Sequence, residues 1–242
     1  MTRSPSQTIS DIASASLGAV RIFEKYGIDY CCGGKRPVAD ACLELGLDSS
    51  SVLVELEQAI QGAPPDVTDW TRASLRDLIR HILTTHHYYL KVELPQLRLR
   101  LEKVIRVYGE QDQESLGPLP DLLRGLTSEL DMHMHKEEAI LFPFIERCEA
   151  AVQAGSPIPP SPFGSLANPI AMMESEHESA GSALRAMRAA TNGYEVPSHA
   201  CITYRSMLDG LRELEQDLHL HIHLENNILF PRAMALEAPE SR

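Results

Sequence analysis

The chain has 242 residues, 43% of them hydrophobic, with 34 acidic against 22 basic side chains and a formal charge of -12. That is enough for one good-sized core plus a smaller unit, and the acidic balance, without C2H2 spacing, a helix-turn-helix signal or a basic arm, argues against nucleic acid as a partner. No apolar run approaches the ~18 residues of a membrane span and the N-terminus lacks the apolar core of a secretory signal, so no membrane is expected and the sequence reads as cytoplasmic.

Residues 1–62 are expected to form a small helical domain. A first helix is predicted from a cap at Ser10 to Gly27, with Ile12, Leu17, Val20, Ile22 and Phe23 on one stripe;. "DYCCGGKRPVADACLELG" then turns through its glycines and Pro37 into a second helix, and "SSSVLVELEQAI" supplies a third;. Three short helices make only a thin core, so this unit is expected to lean on the rest of the chain or on a partner. Of the five cysteines, Cys31 and Cys32 are adjacent, which fits free or reactive thiols in a reducing compartment better than a disulfide framework;. Lys35 and Arg36 nearby are expected to lower a thiol pKa;.

A linker over 62–70, "GAPPDVTDW", leads to a second domain over 70–240. Four long helical patterns follow. The first runs from about 72 to 107 with a bend at Pro95, and the second from about 119 to 148 with a kink at Pro143;. The third is expected to be capped by Asn168 with Pro169 at its first position, and the fourth to be capped by Ser198 and to run to about 230;. Between the second and third lies the proline-rich "AGSPIPPSPFGSLA". The fold class is therefore all-α, an antiparallel four-helix bundle with a small helical N-terminal domain.

A purely apolar bundle core does not account for the histidines. The fragments "HMHKEEAILFP" (133–143) and "HIHLENNILFP" (221–231) are imperfect copies of one pattern. Helical residues four apart share a face, whereas residues two apart point roughly 200° away from each other. His133 with Glu137, and His221 with Glu225, therefore point inward, while His135 and His223 face away. Leu130, Ile140/Leu141 and Phe144 continue the first inward stripe; Leu218 and Ile228/Leu229 continue the second. A buried carboxylate without a partner costs several kcal/mol or titrates, and two at equivalent positions repel as well. Cations between them remove both problems.

Further nitrogens come from His177 in "MESEHESAG" and from His86 or His87, which periodicity barely separates. One histidine per helix and two carboxylates are too many ligands for one tetrahedral zinc, and the cluster holds no thiolate. The set suits two metals bridged by Glu137 and Glu225, with redox-active iron favoured over magnesium, calcium or structural zinc and manganese left open. Glu129 and Glu174 stand where they could accept an imidazole N–H or line an access route;.

The His-x-x-x-Glu pairs resemble the haemerythrin-like di-iron bundles. Together with "DYCCGGKR" (29–36), "MESEHESAG" (173–181) and "HIHLENNILFPRA" (221–233), they resemble the Repair of Iron Centres family of iron–sulfur cluster repair proteins, over nearly the whole chain. The resemblance implies an iron pair ligated by His87, His133, Glu137, His177, His221 and Glu225, bridged by the two glutamates and an oxo or hydroxo group. Cys31 and Cys32 match the family's cysteine pair, with a redox or partner role. His86, His135, His219 and His223 are histidines beyond the pattern, and Leu90 stands where a further histidine is familiar.

The implied function is repair of, or iron supply to, iron–sulfur clusters damaged by nitrosative or oxidative stress. The implied partners are damaged or apo iron–sulfur proteins and the small molecules NO, O2 or peroxide. One alternative is an oxidoreductase reducing nitric oxide or peroxide at the iron pair; another is an O2 carrier or sensor. A homodimer in which Cys31–Cys32 acts between chains is a further expectation.

Overall fold

A computed structural model of the chain describes residues 6–62 and 68–237; most of the expected linker, at 63–67, and the side chain of Leu17 lie outside the described residues. Among the described residues there are helices and turns, one isolated antiparallel bridge between Thr8 and Pro37, and no strand. No helix among them is long and apolar enough to cross a membrane.

The N-terminal unit differs in detail from the expectation. Its first helical stretch is two helices, α1 (Ile9–Ala15) and α2 (Leu17–Tyr26). Thr8, not Ser10, caps α1 by accepting the Asp11 N–H at 3.2 Å, and Ser16 breaks the run because its hydroxyl accepts the Gly18 N–H while its backbone is extended;. Gly27, at φ 65°, ends α2 as a left-handed cap;. Helices α3 (Val38–Glu44) and α4 (Ser49–Gln61) complete the unit, the latter capped by Asp48. Ile9, Ile12, Phe23, Tyr30, Val38, Val52 and Leu56 form its core. Gly18 lets α2 and α4 pack closely, since a Cβ there would lie 2.5 Å from the Ala59 carbonyl oxygen.

The remainder is a bundle of four rods. The first is α5 (Leu75–Ile82), a π-turn at Leu83–His87 and α6 (Tyr88–Tyr108). After the single turn α7 (Gln113–Leu116), the second is α8 (Leu119–Lys136), a π-turn at Glu137–Leu141 and α9 (Phe142–Gln153). The third is α10 (Ala167–Ala190). The fourth is α11 (Ile202–Leu224), a π-turn at Glu225–Leu229 and α12 (Phe230–Glu237). Helix α6 packs along α11 and α8, and α10 along α8 and α11.

Pro95 lies inside α6, which continues through it. Pro143 is the second residue of α9, just past the π-turn, and the rod continues through it. Neither predicted cap of the last two rods is used. Asn168 lies inside α10 and donates from Nδ2 to the Phe163 carbonyl at 2.8 Å, while the Leu166 N–H donates to Glu237 from the end of α12 at 2.9 Å. Ser198 stands in the turn before α11, whose boundary residue is Cys201.

Two apolar layers fill the bundle. One contains Leu90, Leu97, Leu130, Leu184, Leu211 and Leu218; the other contains Leu78, Ile82, Phe142, Phe144, Met173, Leu224 and Phe230. Along every rod the polar residues of interest fall between the two: His87 between Ile82 and Leu90, His133 and Glu137 between Leu130 and Phe142, His177 between Met173 and Ala180, His221 and Glu225 between Leu218 and Ile228. Each buried leucine or phenylalanine contributes about 1.5–3 kcal/mol, so these layers outweigh a polar layer costing several kcal/mol per ion.

Candidate metal centre

Three of the four rods change winding at the polar layer. The π-turns end at His87 and begin at Glu137 and at Glu225. A π-turn inserts one residue into the helical register, so the stripe downstream is shifted relative to the stripe upstream. This corrects the expected continuation in the first copy: Ile140 is 48% exposed, and Leu141, Phe142 and Phe144 carry the buried face. In the second copy Ile228 and Leu229 are both buried.

The six sequence-predicted ligands meet in one place. His87, Glu137, His221 and Glu225 bring ligand atoms within 4.8 Å of one another, and so do His133, Glu137, His177 and Glu225. All six are buried, with Glu137 and Glu225 at 0% exposure, which leaves the carboxylates no water to solvate them. The four Nε2 atoms face the carboxylates: His87 and His133 lie 3.4 and 3.3 Å from Glu137 Oε2, His177 lies 3.0 Å from Glu225 Oε2, and His221 lies 2.9 Å from Glu225 Oε1.

The outer nitrogens are held from neighbouring helices. His87 Nδ1 donates to Glu138 Oε1, His133 Nδ1 to Glu176 Oε2 and His177 Nδ1 to Asn226 Oδ1, each at 2.8 Å. A carboxylate there fixes the proton on Nδ1 and leaves the Nε2 lone pair aimed inward, the arrangement that suits a metal ligand. Lys91 closes on Glu138 at 2.6 Å, and Lys136 pairs with Glu176. His221 Nδ1, by contrast, is buried without a hydrogen-bond partner.

These outer partners differ from those expected. Glu129 accepts from Ser179 Oγ at 3.0 Å and lines a cleft with Glu176, Leu130 and Ile222 that reaches His133 and His177. Glu174 pairs with Lys35 at 3.5 Å. Spacing within one helix could not have found Glu138, Glu176 or Asn226, because each reaches a histidine on a different rod.

The buried charges of the layer act strongly on one another. Burial disfavours the charged form of His133, yet Glu137 overrides it and pushes the ring up to about 9. His87 is raised in the same contest between burial and Glu137, whereas burial keeps His221 below its ordinary value. Burial opposes ionisation of Glu137 and Glu225, but the surrounding imidazoles hold Glu137 below the usual carboxylate range and Glu225 well below it. His133 Nε2 and His177 Nε2 stand only 3.0 Å apart. With His133 charged its Nε2–H can bridge the two rings; with both rings neutral and protonated at Nδ1 two lone pairs face each other, which a shared cation relieves. Neutral imidazoles and ionised carboxylates as the donors fit a transition metal such as iron, and orphaned Glu137 oxygens in the same layer agree with that fit;.

The other histidines have separate roles. His86 is buried beside the layer, its Nδ1 donating to Asp217 at 2.8 Å and its ring parallel to that of His221 at 5.3 Å. His135 is exposed. His219 bonds Glu24 at 2.7 Å. His223 faces away from the layer but not into solvent, which corrects the expectation: it is 2% exposed, covered by the N-terminal unit, with Nδ1 3.0 Å from Asn227 Nδ2 and 3.4 Å from the Tyr30 carbonyl. Burial lowers its pKa to about 4.

The cysteine loop sits on the fourth rod. Cys31 is buried and Cys32 half-buried, with their Sγ atoms 3.9 Å apart. Asp29 Oδ1 accepts both backbone N–H groups, at 3.1 and 2.9 Å, and the Cys31 thiol at 3.3 Å. The lowered thiol pKa expected from Lys35 and Arg36 does not hold for Cys31. Its hydrogen bond to Cys32, burial and the Asp29 charge push it well above the usual range, while Lys35 and Arg36 turn to Glu174 and to Glu44.

Residues 78–233 match the Hemerythrin HHE cation binding domain, and residues 5–60 match the ScdA_N domain of unknown function. The chain is similar to the iron-sulfur cluster repair protein YtfE of Citrobacter koseri, at 38% identity over 96% of this chain and 98% of that protein. The same protein of Escherichia coli O81 is 39% identical and that of Escherichia fergusonii 38%, with the same coverage.

Proposed function

The chain belongs to the family of haemerythrin-like iron–sulfur cluster repair proteins, and from that premise we propose that it repairs, or supplies iron to, iron–sulfur clusters damaged by nitrosative or oxidative stress. The observation that carries this reading is the pair of four-residue ligand groups that share Glu137 and Glu225. Each group offers two imidazoles and both carboxylates: His87 and His221 would hold one iron and His133 and His177 the other, with Glu137 and Glu225 available to both;. When bound, the iron pair supplies a redox couple and coordination positions open to small molecules such as NO, O2 or peroxide.

The chain's own residues do the rest. Glu138, Glu176 and Asn226 hold the Nδ1 protons so that the Nε2 lone pairs point inward. The apolar layers above and below exclude water from the carboxylates. Glu129 and Glu176 line a narrow cleft that reaches His133 and His177. Residues 1–62 form the cysteine-bearing unit and residues 70–240 the iron-holding unit, with Cys31 and Cys32 as the contact point for apo or damaged iron–sulfur proteins.

The test is anaerobic metal analysis followed by incubation of the reduced, iron-loaded protein with an apo iron–sulfur protein. The expected result is two irons per chain and stoichiometric transfer that rebuilds the client's cluster. Full retention of iron together with catalytic NO consumption would replace this reading with the reductase.

A further inference from the structure

Asn226 is the second residue of the π-turn Glu225–Leu229, and its side-chain amide faces two ways. Its Oδ1 lies 2.8 Å from His177 Nδ1, and its Nδ2 lies 3.4 Å from the carbonyl oxygen of Cys31. A backbone carbonyl only accepts hydrogen bonds, so the end of the amide that meets Cys31 is the NH2. The opposite end is then the amide oxygen, which also only accepts, and His177 Nδ1 must carry the proton. An imidazole protonated at Nδ1 has its lone pair on Nε2, and His177 Nε2 is the atom 3.0 Å from Glu225 Oε2 and 3.0 Å from His133 Nε2;. Flipping the amide would set its oxygen against the Cys31 carbonyl and turn the His177 proton toward the carboxylates.

Elsewhere in the layer a glutamate does this work: Glu138 for His87 and Glu176 for His133. A carboxylate needs no second partner to define its role as acceptor. An amide does, and here that partner is the loop carrying the paired thiols.

We propose that Asn226 is a positioning residue through which the cysteine loop sets the tautomer and aim of His177, so that the loop and the iron pair are energetically coupled. The inference rests on the reading of His177 as an iron ligand. The loop can act as a reference point because it is anchored separately. Asn227 Nδ2 donates to the carbonyls of Tyr30 and Cys31 at 3.1 and 3.2 Å, and Asp29 holds the N–H groups of Cys31 and Cys32. Gly34 packs so tightly that a Cβ there would lie 2.8 Å from the Tyr30 carbonyl and 3.0 Å from Ser10 Cβ. Cys32, half-buried, is the thiol through which an outside group reaches the loop. Displacing the loop removes the acceptor that orients Asn226 and frees the His177 ring. By reciprocity, iron bound at His177 holds the loop in place.

The test uses the full-length protein, iron-loaded under anaerobic conditions or stripped by chelator, with iron content measured in every sample. The readout is the rate of Cys31 alkylation by iodoacetamide, followed by peptide mass mapping. In the wild type, iron is expected to slow Cys31 alkylation about fivefold, the factor for one amide hydrogen bond. Asn226→Asp separates the two halves of the contact: its carboxylate still accepts from His177 but offers no N–H to Cys31, so the iron-dependent difference is expected to collapse. Asn226→Gln, which keeps both ends of the amide, is expected to restore part of it. Asn227→Ala, which loosens the loop without touching His177, is expected to speed alkylation in both states and preserve the ratio. An undiminished difference in Asn226→Asp, or no difference in a wild type carrying two irons, overturns the coupling and leaves the iron reading intact. A wild type that binds no iron overturns that reading and the coupling with it.

Discussion

His133 and His177, from adjacent rods, face each other with their Nε2 atoms 3.0 Å apart, while Glu176 and Asn226 hold the far side of each ring. Two imidazoles fixed in this way repel unless a cation or a proton sits between them and the shared carboxylates. His177→Ala or His133→Ala is therefore expected to empty one of the two iron positions. His87→Ala is expected to empty the other, so that each single variant binds close to one iron per chain. Metal analysis after anaerobic reconstitution decides it, and a variant that still holds two irons would show that its histidine is not a ligand.

The carboxylates behind the rings should matter more than those nearer in sequence. Glu176→Gln removes the charge that stabilises the His133 Nδ1 proton and is expected to weaken iron binding by about 10–100-fold;. Glu174→Gln, which disturbs only the half-exposed pair with Lys35, is expected to leave affinity nearly unchanged;. Competition against a chromophoric chelator measures both.

Iron should also hold the bundle together. Stripping it leaves Glu137 and Glu225 buried among partly protonated imidazoles, without the ligand that binds only the folded state. With iron at a thousandfold excess over its dissociation constant the linkage is worth about 4 kcal/mol, or roughly 10 °C in Tm for a chain of this size. Thermal unfolding of the loaded and stripped protein should show that loss, and equal transitions would remove iron from the account of stability.

Cys31 should react slowly at neutral pH. Alkylation requires the thiolate, and its hydrogen bond to Cys32, burial and the Asp29 charge all favour the protonated thiol;. Because the folded-state pKa is raised, the thiolate fraction stays small through pH 7–9 and grows about tenfold per pH unit, still rising where an ordinary thiol near 8.5 has levelled off. A rate profile for Cys31 with its midpoint near pH 8.5 would contradict this environment;.

The sequence by itself determined the all-helical class, the four long rods and the two His-x-x-x-Glu pairs, because residues four apart on a helix share a face whatever surrounds it. His133 beside Glu137 and His221 beside Glu225 were legible for that reason, and Gly27 as a helix stop for an equally local one. Spacing could not separate His86 from His87. Both are buried, and only the opposing rods decide that His87 meets Glu137 while His86 turns to Asp217. Nor could spacing foresee the π-turns that expose Ile140, or Thr8 and Ser16 as the caps that divide the first helix.

Glu138, Glu176 and Asn226 escaped notice because they serve rings on other rods, and His223 because its cover comes from a loop almost two hundred residues earlier in the chain. Local periodicity fixes which way a side chain leaves its own helix. What it meets there depends on how the helices pack, and in this chain that packing sets the outer partners of the metal layer and brings the cysteine loop within one amide of it.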